Sequence, residues 1–192
     1  MEGEASTRGR KALVVPLLVL AALVLVPVSA PAQSSTTTQM LEASIVPLGG
    51  LFTLTSPLIL TKTANGYTGT MTLSYRARTT QGVGQGAITV EATADFSPSG
   101  GPSIAHPPSA GDSFHYTCSG ATLGTPCSGS QTVRTSAATN VVSIGASACT
   151  GGGAPCSTAN PNTTNVSFTL TDDPKYKTGS YSATLTWTIS AS

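Results

Sequence analysis

Four cysteines, two histidines and a few carboxylates are the residues of this 192-residue chain best able to do chemistry. The cysteines fall in two stretches that echo each other, YTCSGATLGTPCSG at 116–129 and SACTGGGAPCST at 147–158. Cys118 and Cys127 enclose eight residues, Cys149 and Cys156 six. Zinc sites hold paired cysteines about two to four residues apart, and thiol redox centres use C-x-x-C. Neither spacing occurs, and no histidine lies at a matching distance. An even cysteine count in an exported chain reads as disulfides. Of the three connectivities that four cysteines permit, 118–127 with 149–156 suits two similar Gly/Pro-rich excursions; a crossed pairing such as 118–149 stays open. The chain-entropy argument gives about 2.5–3 kcal/mol for each loop of about ten residues.

The remaining groups form no reaction centre. His106 stands before Pro107-Pro108, and His115 alternates with Phe114 and Tyr116. No G-x-S-x-G elbow and no His/Glu metal motif is present. Asp172-Asp173-Pro174 offers a fragment of a calcium site, which needs six or more oxygens, and reads better as the start of a loop. Glu91 and Asp95 share one strand face, as paired glycosidase carboxylates would, but a Thr-rich, solvated face surrounds them. No catalytic residue, metal or cofactor is therefore expected, and the chain is not read as an enzyme. Trp187 alternates with Leu185 and Ile189 and belongs to a buried face. Tyr116 and Tyr176 remain as aromatic platforms on which a cell-wall or extracellular glycan can stack. NTT at 162–164 and NVS at 165–167 match the N-glycosylation pattern.

The address is written at the N-terminus. Arg8, Arg10 and Lys11 precede an apolar run from Ala12 to Val26, and Ala30-Pro31-Ala32 supplies small residues for cleavage. The run is shorter than the roughly 20 residues a bilayer span needs, and Pro16 and Pro27 interrupt it. Residues 1–32 are thus expected to be a signal peptide, with a secreted, extracellular or cell-surface product that passes through a periplasm and keeps no membrane span. An uncleaved anchor is the alternative. The mature chain has six Lys+Arg and six Asp+Glu, a net charge of zero. No cluster of cations is present to displace counterions from phosphates, which excludes nucleic acid as a partner. Thirty Thr and 22 Ser in residues 33–192 build the outer faces from hydroxyls instead of charges.

These side chains need elements to position them, and the elements are strands. Period-two alternation runs through YTGTMTLSYRAR, AITVEATADF, NVSFTLTD and SYSATLTWTISA. Tyr67, Met71, Leu73 and Tyr75 share one face; Ile88, Val90, Ala92, Ala94 and Phe96 share another; Val166, Phe168 and Leu170 follow, then Tyr181, Ala183, Leu185, Trp187 and Ile189. Asn65-Gly66 predicts a two-residue hairpin turn, with Leu60 opposite Met71, Leu58 opposite Leu73, Thr61 opposite Thr70, Thr63 opposite Thr68 and Pro57 opposite Ser74. Shorter strands are expected near Leu41–Leu48, Leu51–Thr55, Asp112–Thr117, Gln131–Arg134 and Asn140–Ala146. Residues 97–111, SPSGGPSIAHPPSAG, read as one long loop. The expected fold is an all-β, antiparallel, immunoglobulin-like β-sandwich of about eight or nine strands with two short disulfide-closed loops. Its divisions are residues 1–32 as signal, 33–48 as N-terminal extension or first strand, and 49–192 as the sandwich.

KTGSYSATLTWTISAS at the C-terminus carries a further signal. Gly179-x-Tyr181 entering a strand resembles a tyrosine corner, in which the hydroxyl bonds to upstream backbone. The strand also resembles the C-terminal strand of the spore coat protein U-like, chaperone–usher type of pilin, and that of the WxL cell-surface proteins. Trp187-Thr188-Ile189 has Ile where the latter have Leu. The pilin resemblance implies that a neighbouring subunit's N-terminal strand completes the sandwich. Leu41, Ala43 and Ile45 lie on one face of such a donor strand; the alternative is that this segment pairs within its own domain. The expected function is a structural or adhesive surface protein whose partner is itself or another surface subunit. A glycan-binding module is the alternative.

Overall fold

Sustained alternation becomes strand, and the apolar side of each strand becomes core. The computed structural model describes residues 39–52, 57–109, 112–153 and 156–192. The signal segment and residues 53–55 of the expected Leu51–Thr55 strand lie outside the described residues. Residues Ala43–Ser192 form one unit, separate from Met1–Glu42. The described elements are β1 (Leu48–Leu51), β2 (Thr61–Thr63), β3 (Gly66–Arg78), β4 (Gly86–Ser97), β5 (His115–Ser119), β6 (Thr125–Pro126), β7 (Gln131–Thr132), β8 (Thr139–Ile144), β9 (Asn162–Thr171) and β10 (Ser182–Ala191). No helix occurs among them, and none is long and apolar enough to cross a membrane.

The strands make two antiparallel sheets in a sandwich-like arrangement. One runs β1-β3-β9-β5-β7, with β2 also on β3; the other runs β10-β4-β8-β6. Met71, Leu73 and Tyr75 of β3, Val166 and Phe168 of β9, Ile88 and Val90 of β4, and Val141 and Val142 of β8 share one core. Burying each such side chain contributes about 1.5–3 kcal/mol. Phe114, Phe168 and Trp187 connect the layers: Phe114 stacks on Phe168 at 5.2 Å, and Phe168 meets Trp187 edge-on at 6.3 Å. Thr68, Thr70 and Thr72 face outward from β3. Thr70 hydrogen-bonds Ser167 across the sheet at 3.0 Å, and Thr72 donates to Asn165 at 2.9 Å.

The hairpin forms in a different register from the one expected. Thr61 pairs with Thr68, Lys62 with Tyr67 and Thr63 with Gly66, so Ala64-Asn65 is the turn and Gly66 already belongs to β3. The slip is two residues, which keeps every side chain on its expected face. Its cause is Gly66 (φ 149°). A Cβ there would collide with the Leu170 carbonyl of β9, so the glycine serves a close strand crossing instead of the turn. Leu58 and Leu60 pair with nothing as strand and pack on the core as loop residues. Ser74 takes its edge hydrogen bond from the Phe52 amide at 2.9 Å, which displaces Pro57 from that position.

Three further differences from the expected pattern stand out. Residues 41–47 form no strand; the first strand starts at Leu48, opposite Arg78. Trp187 is half-buried instead of enclosed, because β10 lies at the border of its sheet. Ala94 is exposed where strict alternation would bury it, since the β10–β4 register shifts around Thr184.

Candidate functional site

The two disulfides pair Cys118 with Cys127 and Cys149 with Cys156. Cys118 lies in β5 of one sheet; Cys127 follows β6 of the other and donates its amide to Val141 of β8 at 2.8 Å. The first bridge is therefore a clamp between the layers, not only a loop closure. The second closes the β8–β9 connection, where the Gly151 and Gly152 amides both donate to the Ser157 carbonyl at 2.8 Å. Both bridges suit an oxidising compartment. No group of three or more His, Cys, Asp or Glu comes together to hold a metal among the described residues.

Of the two tyrosines chosen for glycan stacking, Tyr116 is spent on structure. Tyr116 is 0% exposed. Its ring lies 5.9 Å from Phe168, and its hydroxyl donates to the Asn140 carbonyl at 2.7 Å, with Thr139 Oγ1 at 3.0 Å. Burial pushes its pKa up, against the hydrogen bond to Thr139. A ring enclosed between two sheets offers no face to a sugar, so Tyr116 is withdrawn as a contact. The signal was present in the sequence: Tyr116 alternates with Phe114, and both point inward. Tyr176 is half-buried, and its enclosed hydroxyl has no hydrogen-bond partner. Burial, then the nearby Asp112, Asp173 and Asp172, push its pKa up to about 12.

Asp112 and Asp173 meet beside that hydroxyl. Asp112 is 5% exposed and its Oδ2 accepts no hydrogen bond. Contact with Asp173, then burial, raise its pKa. Asp173 is held down to about 2, first by the Ser109 hydroxyl, then by Asp112 and the Lys175 amide. The ammonium of Lys175 lies over this loop, bonded to the Pro108 carbonyl at 2.9 Å and Ser109 Oγ at 2.8 Å. The cluster ties the long 98–114 connection to the β9–β10 turn. Asp172 points elsewhere, to an exposed ion pair with Lys62.

Asp95 performs a second tie that the sequence reading missed. Its carboxylate accepts from the Ile104 amide at 2.6 Å, Ser103 Oγ at 2.7 Å, its neighbour Phe96 at 2.7 Å and the Ala105 amide at 3.3 Å. Burial alone would raise its pKa, but the Ile104 amide, the Ser103 hydroxyl and the other two amides together hold it below 3.8. Asp95 is thus committed to anchoring a loop and cannot work with Glu91. His106 is exposed and its amide donates to Ser103, while His115 Nδ1 faces Thr132 Oγ1 at 3.2 Å. Asn162 is fully buried, bonded to Thr150 at 2.7 Å, which removes NTT as a glycan acceptor; Asn165 is exposed within β9.

What remains accessible lies along strand borders. Leu41 is 91% exposed and Ile45 72%; Met40, Val46 and Phe52 are exposed too. β10 runs ten residues with a partner on one side only. Tyr181 ahead of it donates its hydroxyl to the Lys177 carbonyl at 2.6 Å, the upstream backbone bond of a tyrosine corner. A surface depression of about 270 Å³ is lined by Leu48, Arg76, Arg78, Cys149 and Asn160. Arg76 Nε donates to Asn160 at 2.5 Å and its guanidinium sits 4.8 Å from the centre of the Phe52 ring. Set against family models, curated proteins and solved structures, the chain matches none of them.

Proposed function

We propose that this chain is a secreted, non-catalytic protein of the cell surface, structural or adhesive in role, whose immunoglobulin-like sandwich joins its neighbours by strand addition as a pilin-like subunit does. The observation that carries this reading is the stretch before β1. Residues 39–47 make no strand, while Leu41, Ala43 and Ile45 keep the alternation of a donor strand, with Leu41 and Ile45 exposed. Apolar side chains held in water cost free energy that burial against a partner recovers, about 25 cal/mol per Å². Two disulfides support an export route, and the engagement of Asp95 by four donors supports a non-catalytic reading.

The test uses the native host. Material sheared from cells, run non-reduced with and without boiling, is expected to give a ladder that collapses to one band on boiling. A single monomer band in both lanes defeats the proposal.

Glycan binding is kept as a second reading, moved to different residues. Its support is the depression beside Arg76, Arg78 and Asn160, where donors line a concave surface next to the exposed Phe52 ring. Pull-down by isolated cell-wall glycan, lost in Arg76→Ala, is the expected result; equal pull-down by the variant removes it.

A further inference from the structure

β10 has the features that natural sheets remove from their borders. The other borders are short: β6 and β7 are two residues each, β6 carries Pro126, β2 has three residues and β1 four. β10 has ten, SATLTWTISA, without one charge, proline or glycine. Exposed strands of this kind are normally guarded by Lys, Pro or a bulge, because their free N–H and C=O groups template another strand. The register shift at Thr184 affects one end; from Leu185 to Ala191 the ladder to β4 is unbroken. Every second residue over that length turns its backbone groups away from β4.

We propose that β10 pairs antiparallel with β10 of a second copy of this chain, with Thr186 on the two-fold axis, joining two four-stranded sheets into one of eight strands. This contact uses none of residues 39–47, and it competes with strand addition by them wherever the donor would seat on β10. An isologous contact must match itself, and this one does. With Thr186 opposite Thr186, Thr184 meets Thr188, Ser182 meets Ser190, Leu185 meets Trp187 and Ala183 meets Ile189. Hydroxyls face hydroxyls on the outer face, and apolar side chains meet on the inner face, where Leu185, Trp187 and Ile189 are only half-buried. β-Branched and aromatic cross-strand pairs are the stabilising ones.

Charge permits the approach. No charged residue lies between Tyr181 and Ser192. The nearest in-sheet charge is Glu91, paired with Thr186 on the β4 side. Across the two-fold axis the two Glu91 residues would be three strand spacings apart, about 14 Å. That exceeds the Debye length of about 8 Å at physiological ionic strength, so their repulsion is largely screened.

Single-cysteine variants read the register directly. Under mild oxidation Thr186→Cys is expected to give a covalent homodimer, whereas Thr184→Cys and Thr188→Cys cross-link efficiently only when mixed with each other. In sedimentation equilibrium the mature chain should dimerise, and Thr186→Lys or Thr188→Lys should weaken dimerisation at least tenfold while each variant still unfolds in one cooperative transition. A monomer at every concentration, or Thr186→Cys that cross-links to Ile45→Cys in a mixture and not to itself, overturns the proposal. Two lysine variants guard against one failing to fold. The sheared-cell ladder would survive loss of this contact, so the two proposals fail separately.

Discussion

Asp95 and Asp112 are both partly or wholly withdrawn from water, yet their environments push them in opposite directions. Asp95 faces four donors, so its folded pKa lies below 3.8; its contribution is present above that value and is lost as the pH falls below it. Asp95→Ala is expected to destabilise the fold by about 2 kcal/mol at neutral pH, measured by chemical denaturation, with the difference from the parent shrinking in acid. Asp112 faces another carboxylate instead. Its raised pKa favours folding below the ordinary value of 3.8 and that contribution fades as the pH rises through the raised value. Asp173 acts in the reverse sense, stabilising above 3.8 and losing this as the pH falls toward about 2. At neutral pH the two carboxylates repel, and Asp112→Asn replaces that repulsion with an N–H for Asp173. A thermal midpoint above the parent's at pH 7, closing toward pH 3, is the expected outcome; a lower midpoint at pH 7 would show that the Asp112 charge stabilises the loop.

Among the elements, the Cys118–Cys127 bridge joins β5 to the segment after β6 and so crosses from sheet to sheet. Chain entropy alone assigns such a closure about 2.5–3 kcal/mol. Replacing both cysteines by serine should lower the unfolding free energy by that amount, read from a denaturant titration, as long as the sheets still form. How much of this was legible differs by element. In β3, β9 and β10 the inward and outward residues were readable, because alternation is a local property that packing only has to accept. The hairpin register was not, because Gly66 answers to Leu170, 104 positions away in the chain. Tyr116 was offered as a glycan platform although its alternation with Phe114 already placed it on the inward face. The loop ties at Asp95 and Asp112 were invisible for the same reason as the register: their partners are set by chain paths across the sheets, not by spacing.

At the scale of the whole molecule, hydroxyls replace charge. Exposed strand residues bond one another through Thr and Ser, as in Thr93 with Thr186 at 3.0 Å, and among the described residues Lys62–Asp172 is the one ion pair, itself exposed. Exposed pairs contribute about 0–1 kcal/mol. The thermal midpoint should therefore shift by no more than a degree or two between low salt and 0.5 M NaCl, as followed by circular dichroism; a large drop would reveal stabilising electrostatics elsewhere.

The long ladders join residues 66–75 to 162–171 and residues 86–97 to 182–191. Each sheet thus pairs an early strand with one far later in the chain. Until Asn162–Ser192 has emerged, β3 lacks β9 and β4 lacks β10, and only the shorter ladders β1–β3, β2–β3, β4–β8, β5–β7 and β6–β8 can hold the chain. Distant pairings also form slowly, since closing large loops precedes any gain from contact. A chain ending at Asn160 should show no cooperative unfolding transition. Among the described strands the closing ones emerge after the others, so on the export route proposed above a translocation pore would meet a polypeptide whose sheets are still open.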